Sequence, residues 1–300
     1  MSFALAHLSD VHLGPLPQGS IFGHFSGKRL IGALSWHLKR KHLHQPLVDN
    51  AIRDSILAAR PDHVAFTGDL LNIAGWNEFP PAAAWLKSLG STTQLSMTPG
   101  NHDAYVHVPE EKGLANFAPW MQSDKAADGI AFPFVRLRRN VAIIGANSAS
   151  PQSYRKAGGT LGSTQLRDIS NQLDMLGQQG FFRVLMIHHP PLPGLAKDRK
   201  ALTDAAALQE ILVARGCELV LHGHNHVAMV NWLQTSIGPC PVVGVPSASM
   251  AGNAKHQSAA WNLYNIRRHQ NRWQVEMTIH QWNHLTAKVE TRNSAMLSPA

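Results

Sequence analysis

The sequence predicts an α/β fold, a mixed sandwich whose sheets are covered by helices. Short apolar runs of strand length recur along the 300 residues, helical patterns lie between several of them, and the C-terminal stretch switches to a period of two. With 44% hydrophobic and 15% charged residues, the chain can bury a full core and is too apolar to be a disordered tail.

The strand runs fall at 3–8, 63–67, 94–97, 141–146, 183–187, 218–221 and 242–245. A helix over 46–59 carries Val48, Ile52 and Ile56 on one face, and a second over 164–176 carries Leu166, Ile169, Leu173 and Leu176. A third, over 203–214, opens on Thr203-Asp204 before Leu208, Ile211 and Leu212. After a run at 261–266, Trp273, Val275, Met277 and Ile279 alternate, as a closing hairpin or meander does. No repeat, linker or low-complexity tract divides the chain, so residues 1–300 read as a single domain with one basic amphipathic insertion at about 16–45.

The charge of +8, from 27 Lys and Arg against 19 Asp and Glu, asks for an anionic partner. Residues 11–48 contain no Asp or Glu but include Lys28, Arg29, Lys39, Arg40 and Lys41. Within them Leu30, Leu34 and Leu38 recur every four positions, with Ile31 and Trp36 nearby, as on an amphipathic helix. Three readings of this segment stand. Its leucine stripe packs on the core; or it forms a lid that lowers cations towards an anionic substrate; or residues 26–43 make peripheral contact with anionic lipid. Two cysteines, Cys217 and Cys240, exclude a disulfide framework and favour a cytoplasmic setting. Neither a signal peptide nor a membrane span is expected, which leaves surface contact with the inner membrane as the association to consider.

Five polar clusters follow five of the strand runs: Asp10-Val11-His12, Gly68-Asp69, Gly100-Asn101-His102-Asp103, His188-His189-Pro190 and Gly223-His224-Asn225-His226. In extended backbone, residues two apart point to one side, so Asp10 with His12, and His224 with His226, can each face one cavity. Open α/β sheets place ligand sites beyond the carboxyl ends of their strands, where all five clusters lie. A single Asp or His there is most often a cap or turn residue. It is the set of five that points to a metal site.

This succession of Asp-x-His, Gly-Asp, Gly-Asn-His-Asp, His-x-Pro and Gly-His-x-His, running from Asp10 to His226, resembles the calcineurin-like metallophosphoesterase superfamily. The resemblance implies a four-layer sandwich of two mixed β-sheets flanked by helices, with a two-metal site at the C-terminal ends of the strands. It implies that Asp10, His12 and His226 bind one ion, that Asn101, His188 and His224 bind the other, and that Asp69 bridges both. His102 corresponds to an uncoordinated catalytic histidine, and Asp103 is expected to orient it by accepting a hydrogen bond.

Two divalent ions, about 3.5–4 Å apart, clamp phosphoryl oxygens and supply a bridging hydroxide for in-line attack. His102 would then stabilise the developing charge or protonate the leaving oxygen. Mixed nitrogen and oxygen ligation suits Mn, Fe, Zn or Co and does not choose among them. Gly-Asn-His-Asp with His188–His189–Pro190–Pro191 looks most like the bacterial class III cyclic-nucleotide and glycerophosphodiester phosphodiesterase branch, so a small-molecule phosphodiester is the expected substrate. The alternative is a pyrophosphatase or phosphomonoesterase acting on a lipid-linked or nucleotide diphosphate at a membrane surface. Nucleic acid is disfavoured because no boundary for a DNA-binding domain is visible, and a non-catalytic scaffold because every ligand position is filled. Among the other histidines, His7 is read as a bonded strand residue. His189 is read as pointing away from its neighbour, His222 as equally structural or substrate-facing, and His24, His37, His42 and His44 as solvated or lid surface rather than ligands. Asn72 is read as a turn residue.

Overall fold

The structure is a computed structural model that describes residues 2–20, 27–124, 130–270 and 272–297. Along the chain run β1 (Ser2–Leu8), α1 (Gly27–Leu38), α2 (Pro46–Ala59), β2 (His63–Phe66), α3 (Phe79–Leu89), β3 (Leu95–Met97), β4 (Phe134–Arg138) and β5 (Val141–Gly145). Then follow α4 (Gly162–Gln178), β6 (Phe182–Met186), α5 (Ala205–Arg215), β7 (Leu219–His222), β8 (Met229–Thr235), β9 (Gly238–Gly244), β10 (Ala260–His269), β11 (Arg272–Asn283) and β12 (Lys288–Met296).

The strands form two six-stranded mixed sheets, ordered β12-β11-β10-β1-β2-β3 and β4-β5-β6-β7-β9-β8. β1, β2 and β3 are mutually parallel, as are β5, β6, β7 and β9, whereas β10 to β12, β4 and β8 pair antiparallel. Each buried strand sorts its side chains by parity. Phe3 and Leu5 of β1, Val184 and Met186 of β6, Leu221 of β7 and Tyr264, Val275 and Met277 of the closing meander fill the space between the sheets. Ala6, Leu8, Val64 and Phe66 face outward against Val48, Ile52 and Ile56 of α2 and Trp85, Leu86 and Leu89 of α3. Ile144, Leu185 and Val220 face Leu166, Ile169 and Leu173 of α4 and Leu208 and Leu212 of α5. The result is the expected four layers, helix, sheet, sheet, helix.

One expectation about packing is overturned. Residues Gly27–Leu38 are helical, but the leucine stripe does not rest on the core: Leu30, Ile31, Leu34 and Leu38 are 49%, 43%, 57% and 65% exposed. The buried face carries Arg29, Gly32, Ala33 and Trp36 instead. Gly32 permits the approach, because a Cβ there would lie 2.6 Å from Ile73, and the buried Arg29 guanidinium donates to the carbonyls of Ile73 and Ala74 at 3.4 and 2.5 Å. Polar bonds to backbone thus decide which side of this helix faces in.

Candidate metal centre

The five clusters meet where the carboxyl ends of the two sheets converge. The loops after β1 and β2 stay zipped beyond their strands: Asp10 N–H donates to Gly68 O at 2.8 Å, His12 N–H to Asp69 O at 3.0 Å and Leu13 N–H to Leu70 O at 2.8 Å. The second sheet is tied in through His224 N–H, which donates to Asp10 Oδ2 at 2.9 Å, while within that sheet Gly223 N–H donates to His188 O at 3.1 Å. Close approach explains the glycines. Gly68 sits at φ +91°, a Cβ on Gly100 would strike the Asp69 carboxylate, and one on Gly223 would strike Ser9 and Asp10.

Two donor groups that share Asp69 result, and a third joins His12, His44 and His226. Asp10, His12, Asp69 and His226 place one donor atom each within 4.8 Å of one another, and so do Asp69, His188 and His224. In the first group His226 Nε2 lies 3.1 Å from Asp10 Oδ1 and 3.2 Å from His12 Nε2, which is 3.8 Å from Asp69 Oδ2. In the second, His188 Nε2 lies 3.4 Å from Asp69 Oδ2, 3.2 Å from Asn101 Oδ1 and 3.3 Å from His224 Nδ1. All seven expected ligand positions are therefore brought together, with Asp69 common to both groups. His188 Nδ1 is 2.7 Å from Thr67 O, and His12 Nδ1 lies 3.1 Å from Leu71 O and 2.7 Å from Arg40 Nη2, so Nε2 of each faces the centre.

The backbone beneath these residues is strained. Asp10, His12, Asp69, His224 and His226 all have left-handed φ, between 45° and 70°, a region costly for residues with a Cβ. Five such residues converging on one point mark a place where geometry is held at the expense of stability.

His102 lines the same cavity, with its Nδ1 2.5 Å from Asn72 O and its ring stacked on Tyr105 at 5.3 Å. Asp103 does not play the expected part. Its carboxylate makes no hydrogen bond to the His102 ring; it accepts from the backbone N–H groups of Asp69, Leu70, Leu71 and Gly100 at 2.8–2.9 Å, knotting the second and third loops together. The carbonyl that orients His102 belongs to Asn72, whose own side chain donates to Leu13 O at 2.8 Å. Asn72 is therefore structural, as expected, but with this added task.

Two residues of the basic segment depart from the surface reading. His44 is buried, with Nδ1 2.7 Å from Ser249 Oγ and its ring edge-on to His12 at 4.6 Å. Arg40, which sequence gave no reason to separate from Lys39 and Lys41, turns inward, with Nη2 2.7 Å from His12 Nδ1 and Nη1 3.3 Å from His102 Nδ1. His37 and His42 are exposed, as expected, and His24 lies outside the described residues. His7 bonds Thr67 Oγ1 at 3.0 Å. His189 spends its nitrogens on Ser148 Oγ and Ala157 O at 2.7 and 3.1 Å, a structural role, and His222 is fully buried with Nδ1 3.2 Å from Gly223 O.

Burial, then the Arg40 charge, holds His12 well below its usual value and His102 down at about 3, and burial, then His189 and His188, keeps His224 neutral as well. Burial opposes ionisation of Asp10 and Asp69, but His226 beside the first and His188 beside the second outweigh it, keeping both below the usual carboxylate range. Burial likewise works against a proton on His188, and Asp69 more than reverses it, to about 9. Buried carboxylates facing imidazoles, two of which (His12 and His224) are held neutral, with His224 Nε2 lacking a hydrogen-bond partner among the described residues, are a donor set that fits first-row divalent cations. The described residues include no helix long and apolar enough to cross a membrane.

Comparison with known proteins agrees with the geometry at the level of the fold. Over 99% of the chain, the structure resembles a dimetal phosphatase from Danio rerio (TM-score 0.60, 12% identity, 98% of that chain). It also resembles the purple acid phosphatase PPD1 of yellow lupin (TM-score 0.62, 12% identity, 99% of this chain and 53% of that one). A third likeness is to a 5'-nucleotidase precursor from Thermus thermophilus (TM-score 0.51, 12% identity, 99% and 54%), so the chain spans about half the length of the latter two. A search of curated proteins finds no match. Residues 3–228, which include every cluster of the metal centre, match the family described as calcineurin-like phosphoesterase, and the chain belongs to that family.

Proposed function

We propose that the chain is a two-metal phosphodiesterase, with Asp10, His12, Asp69 and His226 holding one divalent cation and Asp69, Asn101, His188 and His224 the other. The observation that carries this reading is the sharing of Asp69 between two converging donor groups. When bound, such a pair of cations draws charge from the phosphoryl oxygens and acidifies a water for attack on phosphorus. Mn, Fe, Zn and Co all suit this donor set.

The chain's own residues do the rest. Asn72 O holds His102 Nδ1, which leaves Nε2 as the ring nitrogen free to exchange a proton with a leaving oxygen. In the ligand-free protein burial and the Arg40 charge keep that ring neutral; an anionic phosphoryl group alongside would favour its protonated form. The Arg40 guanidinium, already between His12 and His102, is placed to pair with a phosphoryl oxygen. The test is metal stripping and reconstitution, followed by turnover of bis(p-nitrophenyl) phosphate against p-nitrophenyl phosphate. The diester should be preferred; preference for the monoester overturns the phosphodiesterase reading.

A second reading, a lipid-linked diphosphate hydrolysed at a membrane surface, draws support from α1. Its exposed leucines lie beside exposed Lys39 and Lys41, and Ile31 of the same helix lines the metal-centre cavity. Turnover of a diacylated nucleotide diphosphate sugar in mixed micelles, absent for the phosphodiesters, would favour it.

A further inference from the structure

The cavity over the metal centre has a volume of about 400 Å3, within the roughly 300–1,000 Å3 of small-molecule sites and larger than the scissile group needs. Asp69 is the one carboxylate among its described lining residues, whereas Lys28, Arg40, Arg155, Lys156, Arg199 and Lys200 all line it. None of these six has an ion-pair partner among the described residues, although arginines elsewhere, such as Arg53, Arg138 and Arg183, do.

Four of the six are held together by backbone. Ala157 N–H donates to Arg199 O at 2.9 Å, Gly159 N–H to Ala201 O at 3.1 Å and Thr203 N–H to Gly159 O at 2.9 Å, so the two loops form a short ladder. The ladder packs beside the site, because a Cβ on Gly159 would strike the ring of His189, the chain neighbour of His188, and one on Gly158 would lie 2.7 Å from Ala201 O. Arg155 adopts φ +67°, a strained conformation for a non-glycine. Lys28 Nζ ties α1 to the loop that carries Arg155-Lys156, donating to Tyr105 O and Gln152 O at 2.7 and 3.0 Å. Two cationic dipeptides, Arg155-Lys156 and Arg199-Lys200, are thereby carried on paired loops at one cavity, with no ion-pair partner among the described residues; Arg155, Lys156 and Arg199 are exposed and Lys200 half-buried, an arrangement that an anion in the cavity would stabilise. Lys200 lines the same cavity as Asp69, His224 and His226, which puts this wall at the mouth of the ligand groups.

We propose that this wall receives a second phosphate of the substrate, so that the preferred substrate carries a phosphoryl group in addition to the one hydrolysed. The inference rests on the phosphoesterase reading and narrows its substrate class. A simple diester with one negative charge has no use for four more cations; a diphosphate ester or a phosphorylated nucleotide diester does.

The test is calorimetric titration of the metal-stripped full chain with thymidine monophosphate, thymidine diphosphate and thymidine 3',5'-bisphosphate. At least one doubly phosphorylated ligand should bind about tenfold more tightly than the monophosphate, the value of one charge-assisted hydrogen bond. In the Arg199→Ala/Lys200→Ala double variant the ratio should fall below about threefold, whereas Arg267→Ala/Arg268→Ala on β10 should leave it unchanged. Equal affinities, no measurable binding of either doubly phosphorylated ligand, or an unchanged ratio in the Arg199/Lys200 variant overturns the proposal. Failure of the parent reading shows itself separately, as reconstituted protein that turns over no phosphate ester.

Discussion

Left-handed backbone at the ligand positions has a measurable cost, and His226 isolates it. This residue sits at φ +57°, its side chain is 24% exposed, and its imidazole lies 3.1 Å from Asp10, 3.2 Å from His12 and edge-on to the His44 ring at 5.9 Å. His226→Gly and His226→Ala remove the same ring, so the difference between the two variants reports the backbone alone. A Cβ in this region costs about 1–2 kcal/mol, while glycine's extra freedom in the unfolded chain returns about 0.5–1 kcal/mol. The net expectation is that H226G is more stable than H226A by about 1 kcal/mol. Urea denaturation of the metal-free proteins measures it, with N171G and N171A in α4 as the control. At that exposed helical position the order should reverse, alanine winning by about 1 kcal/mol. If H226A equals or exceeds H226G in stability, the claim that the site stores backbone strain fails.

Burial pushes Asp49 of α2 up to about 7 from 3.8. Its folded pKa is raised, so the stability it contributes is complete below about 3.8 and is lost as pH rises through about 7; Asp49→Asn cannot titrate and escapes that loss. The advantage of D49N over wild type in urea melts should grow by about 2.5 kcal/mol, as an upper figure, between pH 5 and pH 8, and parallel pH profiles would contradict it. For the membrane reading, Lys39→Gln/Lys41→Gln should weaken sedimentation with anionic vesicles by about 2 kcal/mol, roughly thirtyfold, and equal binding counts against it. Arg40 is left intact in that variant because it belongs to the site. Replacing it instead, Arg40→Ala should lower kcat/KM for bis(p-nitrophenyl) phosphate by about tenfold or more without unfolding the chain, and unchanged turnover would remove it from substrate binding.

Much of this molecule was readable in the sequence because its strands are buried on both faces and its ligands sit at their ends. The apolar runs that became β1, β2, β5, β6 and β7 could be found by length alone, and α2 by the spacing of Val48, Ile52 and Ile56. What escaped lacks such a signal. β12 is a polar edge strand whose extended form comes from pairing with β11, and α3 begins Phe79-Pro80-Pro81, which reads as a turn until the prolines are seen to occupy its first turn. The orientation of α1 was illegible because its leucines announce an inward face, while buried bonds from Arg29 to loop carbonyls hold the other side in. The site shows the same division. Its seven donors come in contiguous motifs, whereas Arg40, His44 and the Arg155-Lys156/Arg199-Lys200 wall arrive from loops whose placement depends on tertiary contacts. Asp103 was found by its motif but its partner was not: proximity to His102 in sequence implied a ring contact, and the fold gives the carboxylate to four backbone N–H groups instead.

The central claim is that Asp69 joins two metal sites into one hydrolytic centre, and metal content measured together with turnover in wild type and Asp69→Asn tests it most directly. After stripping and reconstitution with Mn, wild type should hold about two ions per chain and hydrolyse bis(p-nitrophenyl) phosphate. D69N should fold, hold about one ion or fewer, and lose turnover by about a thousandfold or more. Two ions and undiminished turnover in D69N, or full turnover by the metal-free wild type, would contradict it.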